Sequence, residues 1–243
     1  MHSVSRAIYK RLGLLHLGRR RVRDLIDFIR DREIDTVIDV GANVGQFGDS
    51  LREGGFKGKI VSFEPIEAVF QVLKSKAATD GNWEAHHCAL GAAPGEAAIH
   101  VSELSVCSSI LELNSNATLH DTRIAVERAE TVTVRTLDEV AARITGRTLL
   151  KIDTQGYEKQ VLEGARDVIP RVLGILMELP VIHVYEGEWQ FHEAVRFMSG
   201  LGFVLAQIQP VGYHGVDKVS AVEFDCLFRP RNAVDAPASE QSA

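Results

Sequence analysis

The segment Thr36–Phe47, TVIDVGANVGQF, constrains the fold more than any other stretch of the chain. A β-branched apolar run, Ile34–Val40, reads as a strand that ends on Asp39-Val40. The chain then turns through Gly41, Asn43 and Gly45 into a short helix running to Leu51 and stopping at Gly54-Gly55. Glycine lets the backbone turn tightly and come close to a ligand without a Cβ clash, and asparagine is among the residues that best tolerate positive φ. The spacing Asp-x-Gly-x-Asn-x-Gly lacks the third small residue of a dinucleotide fingerprint. It also lacks the Gly-Lys-Ser/Thr of a phosphate-binding P-loop. Pyrophosphate and triphosphate binding are therefore not what this turn is built for.

From residue 34 short β-branched runs alternate with helical patterns, the pattern of a parallel sheet covered by helices. The expected strands are Ile34–Val40, Lys59–Phe63, Trp83–Leu90, Thr148–Asp153 and Gly174–Pro180, with helices over Ile66–Ala78, Glu158–Val168 and Glu193–Ser199. Two more strands, Ala97–Val101 and Thr131–Arg135, enclose a polar segment. Thr136 with Glu139 three residues on reads as a capping box. Phe203–Gln209 and Ala221–Phe228 are too close in sequence for a crossover helix, so they are expected to pair antiparallel. The expected organisation is a basic arm (residues 1–33), one α/β domain (34–230) and a disordered tail (231–243).

Composition narrows the function classes. Hydrophobic residues make up 45% of the chain and charged residues 25%, the balance of an ordinary globular protein, which excludes collagen, coiled coil and wholesale disorder. The net charge of −6 argues against a general nucleic-acid binder. That mean hides an asymmetry, because Arg6, Lys10, Arg11, Arg19, Arg20, Arg21, Arg23 and Arg30 crowd the first 30 residues. No apolar core of signal-peptide length follows them, and no stretch approaches the ~20 apolar residues of a membrane span. Cys88, Cys107 and Cys226 form no CxxC, so a reducing, cytoplasmic compartment is expected.

Glu64 stands at the carboxyl end of the second strand. In doubly wound sheets an acid there reaches the ribose hydroxyls of an adenosine-containing ligand. Asp39-Val-Gly-Ala-Asn-Val-Gly, Phe63-Glu64-Pro65, Ala89-Leu90-Gly91, and Leu150-Lys-Ile-Asp153-Thr-Gln-Gly-Tyr-Glu158 with Val161-Leu-Glu-Gly164-Ala165 together resemble the FkbM family of S-adenosylmethionine-dependent O-methyltransferases. The resemblance spans about residues 34–228. It implies the class I methyltransferase (Rossmann-like) fold, a seven-stranded, mostly parallel sheet with an antiparallel last strand, and S-adenosylmethionine as cofactor. It further implies that Asp39, Gly41, Asn43, Gly45 and Gln46 line the methionine end of the cofactor, that Glu64 binds the ribose, and that Ala89 and Leu90 lie near the adenine. Members commonly carry Asp-Val-Glu-Gly where this chain has Asp153-Thr-Gln155-Gly156, so any role needing a carboxylate at 155 does not carry over. No metal site is expected.

Candidates for the proton acceptor are acids and histidines at strand ends, namely Asp153, Glu178 and His183. Glu178 lies in an otherwise apolar strand, where burial raises a carboxyl pKa, and histidine titrates near neutrality. The polar stretch Ser105–Thr118, with Ser108, Ser109, Asn114 and Asn116, suits an acceptor-side cap for a sugar. In length and pattern the chain resembles mycobacterial members of the family that methylate deoxysugar hydroxyls, fucosyl or rhamnosyl, of cell-wall glycolipids. The arm's apolar positions are expected to pack on the domain, and its arginines offer a peripheral contact with anionic membrane lipid. Two further readings remain open, a non-catalytic adenosine-ligand-binding protein and an O-methyltransferase of a secondary metabolite. A short-chain dehydrogenase would need Tyr-x-x-x-Lys, which no tyrosine here provides.

Overall fold

The computed structural model describes residues 19–115, 117, 124–141, 144–213 and 219–232. The arm before residue 19, Asn116, Thr118, His214 and the tail from 233 lie outside the described residues. Helix α1 (Arg19–Asp31) precedes a seven-stranded sheet, and its Leu25, Ile26, Phe28 and Ile29 are buried. The apolar side of this helix therefore packs on the sheet.

The sheet contains β1 (Thr36–Val40), β2 (Lys59–Phe63), β3 (Trp83–His86), β7 (Thr148–Ile152), β8 (Val172–Pro180), β9 (Phe203–Tyr213) and β10 (Ala221–Pro230). Their spatial order is β3-β2-β1-β7-β8-β10-β9. The first five are mutually parallel, whereas β10 inserts antiparallel between β8 and β9. This is the class I methyltransferase fold. Helices α2 (Gln46–Glu53), α3 (Glu67–Ala77), α4 (Leu137–Ala141), α5 (Glu158–Glu163) and α6 (Phe191–Gly200) complete the layers.

Every residue of β1 is buried, as expected of a parallel strand covered on both faces. Val37 joins one core with Leu149, Phe28 and Leu51, while Ile38 and Val40 join the other with Leu150, Ile152 and Phe63. The chain leaves β1 toward β2 on one side, and β7 lies on the other. The carboxyl ends of β1 and β7 thus mark the point where strand order reverses, the place where such sheets open a crevice.

One expected strand divides in two. Trp83–Leu90 pairs with β2 only as far as His86, and Ala89–Leu90 (β4) joins a separate three-stranded sheet with β5 (Gly95–Ser102) and β6 (Val126–Arg135). The break falls where His86 stacks on Phe63 and His87 stacks on Phe70, at ring-centroid distances of 5.1 and 4.7 Å. Beyond it, Ala89 joins a third apolar cluster with Ile66, Ile99, Val101, Val132 and Val134. The predicted capping box is half made. Thr136 Oγ1 accepts from Glu139 N, but the Glu139 carboxylate turns to Arg135 at 2.6 Å. Helix α5 ends at Glu163, before Gly164, rather than continuing to Val168.

Candidate active site

The turn after β1 is closed from behind by Glu64. Its Oε2 accepts from Asn43 N and its Oε1 from Ile66 N, each at 2.9 Å. Gly41 (φ +74°), Asn43 (φ +47°) and Gly45 (φ +82°) all take left-handed backbone. A Cβ on Gly41 would lie 1.8 Å from the Asp153 carbonyl oxygen, so glycine there lets the β1 turn touch the end of β7. Asn43 Oδ1 accepts from Val44 N and its amide donates to Ser105 Oγ at 3.2 Å, joining the turn to the polar segment above it.

A single pocket wall contains Gly41, Asn43, Gln46, Glu64, Ala89 and Leu90 among the expected cofactor residues, together with Asp153 and Glu178. Ser105, Ser108 and Ser109 from the polar segment line it as well. Three expected residues do not line this pocket. Asp39 is fully buried beneath it, Gly45 packs against Leu73 and Trp83 at the start of α2, and His183 sits on the loop after β8 with Nε2 3.2 Å from the Trp189 carbonyl oxygen. Among the described residues no three His, Cys, Asp or Glu side chains gather as metal ligands.

Sequence reasoning missed the residue that holds Asp39. Lys151 stands directly across from it in the β1–β7 register. The Lys151 ammonium lies 3.0 Å from Asp39 Oδ1 and 3.4 Å from Asp153 Oδ2, and donates to the Gly41 carbonyl oxygen at 3.0 Å. Burial opposes its charge, yet the Asp39 and Asp153 carboxylates raise its pKa above that of an ordinary lysine. Burial in turn pushes Asp39 up, and Lys151 opposes that shift. A lone lysine in the apolar strand TLLKI was the available signal. Lys151→Met should lower stability by about 3–5 kcal/mol, the cost of leaving a buried carboxylate unpaired. The carboxyl group can escape by binding a proton, so the native state then holds the extra proton and the deficit shrinks as pH falls. Denaturant unfolding at pH 5 and pH 8 checks both; equal deficits at the two pH values would contradict the ion-pair account.

On the other side of Asp153, Gln155 takes a left-handed backbone (φ +55°). Its Nε2 donates to Asp153 Oδ1 at 2.9 Å and to Glu178 Oε1 at 3.3 Å, bridging the two candidate carboxylates. The Tyr185 hydroxyl stands 3.1 Å from Gln155 Oε1 and 2.9 Å from the Cys107 carbonyl oxygen, and Ser109 Oγ donates to the Gln155 carbonyl oxygen at 2.6 Å. Glu158 supports the loop from below, its Oε1 accepting from Thr154 N, Thr154 Oγ1 and Gly156 N. Asp225, from β10, also reaches the pocket and pairs across the strand with Glu178.

Two observations test whether an adenosine-bearing methyl donor fits. The Glu64 carboxylate uses one lone pair per oxygen on backbone donors, which leaves acceptor capacity on both oxygens for a vicinal diol. Gln46 Oε1 is buried at the pocket without a hydrogen-bond partner, and such an orphan calls for a ligand or water. Phe63, Ile66, Cys88, Ala89 and Leu90 add an apolar wall beside Glu64, suited to a flat heterocycle. The residues present fit the group.

A family model, the methyltransferase FkbM domain, matches residues 39–205. No protein of curated function matches the chain. Similar solved structures include an S-adenosylmethionine-dependent methyltransferase from Clostridium acetobutylicum (9% identity over 94% of this chain and 98% of that chain, TM-score 0.49). An rRNA methylase from Streptococcus thermophilus shares 12% identity over 89% and 100% of the two chains, with a TM-score of 0.48. A precorrin-6y C5,15-methyltransferase from Geobacter metallireducens shares 9% over 89% and 92%, with a TM-score of 0.47. At these identities and TM-scores the likeness bears on neither substrate nor mechanism. The family match covers well over half of the chain. The chain belongs to the FkbM methyltransferase family, and S-adenosylmethionine is its cofactor.

Proposed function

We propose that this methyltransferase transfers its methyl group to a sugar hydroxyl, a deoxysugar such as a fucosyl or rhamnosyl unit of a cell-wall glycolipid. The observation that carries the O-methylation is the pair of carboxylates, Asp153 and Glu178, bridged by Gln155 at the ends of β7 and β8. A hydroxyl must lose its proton as its oxygen gains the methyl, and a carboxylate within reach can take it. Burial, with the neighbouring charges of Glu223, Asp153 and Asp225, raises the Glu178 pKa well above the ordinary carboxyl value, which makes its ionised form a stronger base.

S-adenosylmethionine supplies an electrophilic methyl group on a sulfonium, with a neutral leaving group. The chain's own residues bind and orient. Glu64 would hold the ribose diol, Ala89 and Leu90 the adenine, and Gly41, Asn43 and Gln46 the methionine end. Asp39 and Gly45 would act from behind, through Lys151 and the start of α2. Alignment of the acceptor oxygen with the methyl–sulfur axis is the larger task. The hydroxyls of Ser105, Ser108 and Ser109 line the same pocket and suit a polyol.

Charge supports an uncharged acceptor. Lys151 is the one basic side chain among the described residues lining the pocket, and its three protons face Asp39, Asp153 and the Gly41 carbonyl. Phosphate would find no spare cation there, which disfavours nucleic acid as substrate. The arginines at 19, 20, 21 and 23 support peripheral contact with an anionic membrane bearing a lipid-linked acceptor, on the cytoplasmic side. Among the described residues no helix is long and apolar enough to cross a membrane.

The test is incubation of the purified protein with S-adenosylmethionine and methyl α-L-fucopyranoside or methyl α-L-rhamnopyranoside, followed by mass spectrometry. One added methyl group per sugar is expected. Glycolipids from a strain lacking the gene should lose a sugar O-methyl group. An unchanged glycolipid pattern together with untouched glycosides would overturn the sugar reading.

A further inference from the structure

Strand β10 brings a second carboxyl group to Glu178. In the β8–β10 register Asp225 stands opposite Glu178 and Glu223 opposite Pro180. The β9–β10 pairing shifts register on both sides of Glu223, an irregularity that re-aims side chains near functional sites. The Val222 carbonyl oxygen just before it accepts from both Val181 N and Ile182 N, which ties this bend to the end of β8. Glu223, two residues before Asp225, shares that side of β10, so its carboxyl group stands diagonally beside that of Glu178, within reach of a long side chain. Two carboxyl groups held side by side favour one proton between them over two charges. Glu178 lines the pocket and Glu223 does not.

We propose that Glu178 and Glu223 share one proton and act as a unit, with Glu178 the carboxyl group that accepts the substrate's proton and Glu223 the positioning residue that sets when it can do so. The inference rests on the hydroxyl-methylation reading above. Singly protonated, the pair carries one negative charge and can take a second proton. As the acceptor oxygen bonds to the methyl carbon, the methyl–sulfur bond breaks and the sulfur keeps its electron pair. The hydroxyl proton moves to Glu178, and the pair then holds two protons and returns one to solvent.

The surrounding groups oppose further charge on the pair. Asp153 after β7 and Asp225 on β10 both act on Glu178. Glu188 on the loop after β8 adds to the charge felt by Glu223, and both glutamates act on the Tyr185 hydroxyl. Lys151 senses Glu178, but its nearest contacts are with Asp39 and Asp153. Burial first, and then these charges, push Glu223 up to about 7. Titrations of two such groups belong to the pair.

The experiment is carbon-13 NMR of protein labelled at glutamate side-chain carboxyls, titrated from pH 4 to 10, with the Glu178 signal assigned by its loss in Glu178→Gln. The wild type is expected to show two signals moving in coupled steps, with Glu178 still part-protonated above pH 7. In Glu223→Gln, an isosteric change, the Glu178 midpoint should fall by about one unit or more, because a like charge has been removed. The surface change Glu84→Gln should leave it in place. A Glu178 signal titrating near 4.5 in the wild type overturns the shared proton without recourse to any variant.

Turnover of the two methyl glycosides supplies the kinetic arm. Wild-type kcat/KM should rise with pH as the pair gives up the first of its two protons, and that limb should move up in Glu223→Ala, which removes the proton that steadies ionised Glu178. Glu178→Gln should lose about 10²–10⁴-fold. A merely structural Glu223 would lower kcat without moving the limb, and that result overturns its role. If neither glycoside is methylated, the sugar reading falls, and the NMR titration alone decides the pair.

Discussion

Gly41→Ala should abolish binding of S-adenosylmethionine and cost roughly 2–5 kcal/mol of stability, the combined scale of a strained left-handed backbone and an overpacked contact. The added Cβ would meet the Asp153 carbonyl oxygen at 1.8 Å and the Asp153 carbonyl carbon at 2.9 Å. Both are backbone atoms, so no side-chain rotation relieves the clash. Either the turn after β1 or the end of β7 must move, and both form the pocket wall. Gly55→Ala separates the two causes, since Gly55 also has positive φ (+92°) but a Cβ there meets nothing within 4 Å. Calorimetry with the cofactor and thermal unfolding check the pair of variants. A Gly41→Ala protein with wild-type heat of binding would contradict the placement of this turn against the cofactor.

The second large effect concerns Glu64. Burial pushes its pKa up to about 7, against the pull of the Ile66 and Asn43 amides. A carboxylate that accepts two ribose hydroxyls must be ionised, so cofactor affinity should rise as pH increases through about 7. Below that it should fall toward tenfold per pH unit, with proton release on binding. Glu64→Gln removes the charge and one acceptor. It should weaken binding by about 10²–10⁴-fold, the scale of one or two charged hydrogen bonds. Stability of the cofactor-free protein should run the other way. The native Glu64 pKa lies above the unfolded value of 4.5, so the native state binds more protons between pH 4.5 and about 7. Its contribution to stability is therefore lost as pH rises through that window. Glu158, pushed up to about 7 by the same burial, adds to the slope. Isothermal calorimetry in buffers of different ionisation heat, with denaturant titrations across this range, measures both. Affinity independent of pH from 5.5 to 8 would remove Glu64 from the ribose-binding role.

Much of the scaffold is legible in the sequence. The alternation of β-branched runs and helical spacing located β1, β2, β7 and β8 to within two residues, because parallel strands buried on both faces must be continuously apolar. The antiparallel terminal pair followed from the short span between its strands. The turn at Gly41–Gly45 was legible because its backbone needs glycine or asparagine. The run Trp83–Leu90 misled because it has strand propensity throughout. What divides it is the choice between two partners, β2 and β6, and β6 lies some forty residues further on.

Candidate site residues separated in the same way. Glu64, Asp153 and Glu178 were readable as acids at the carboxyl ends of strands, where a parallel sheet opens its crevice. Lys151, Gln155, Tyr185, Glu223 and Asp225 depend on pairings between distant segments. Asp39 meets Lys151 only because β1 and β7 adopt that register, and Glu223 meets Glu178 only because β10 inserts beside β8. His183 shows the converse. Its type and its place after a strand made it a candidate base, but the loop turns its ring to the Trp189 carbonyl.

The sequence by itself thus determined the sheet, the glycine-bearing turn after β1 and the acid at the end of β2, because local periodicity and turn chemistry act within a few residues. Only the tertiary structure decided which charges are neutralised beneath the pocket and which carboxyl groups share its acceptor side. Those outcomes depend on strand register, and register is set by contacts between residues far apart in the chain.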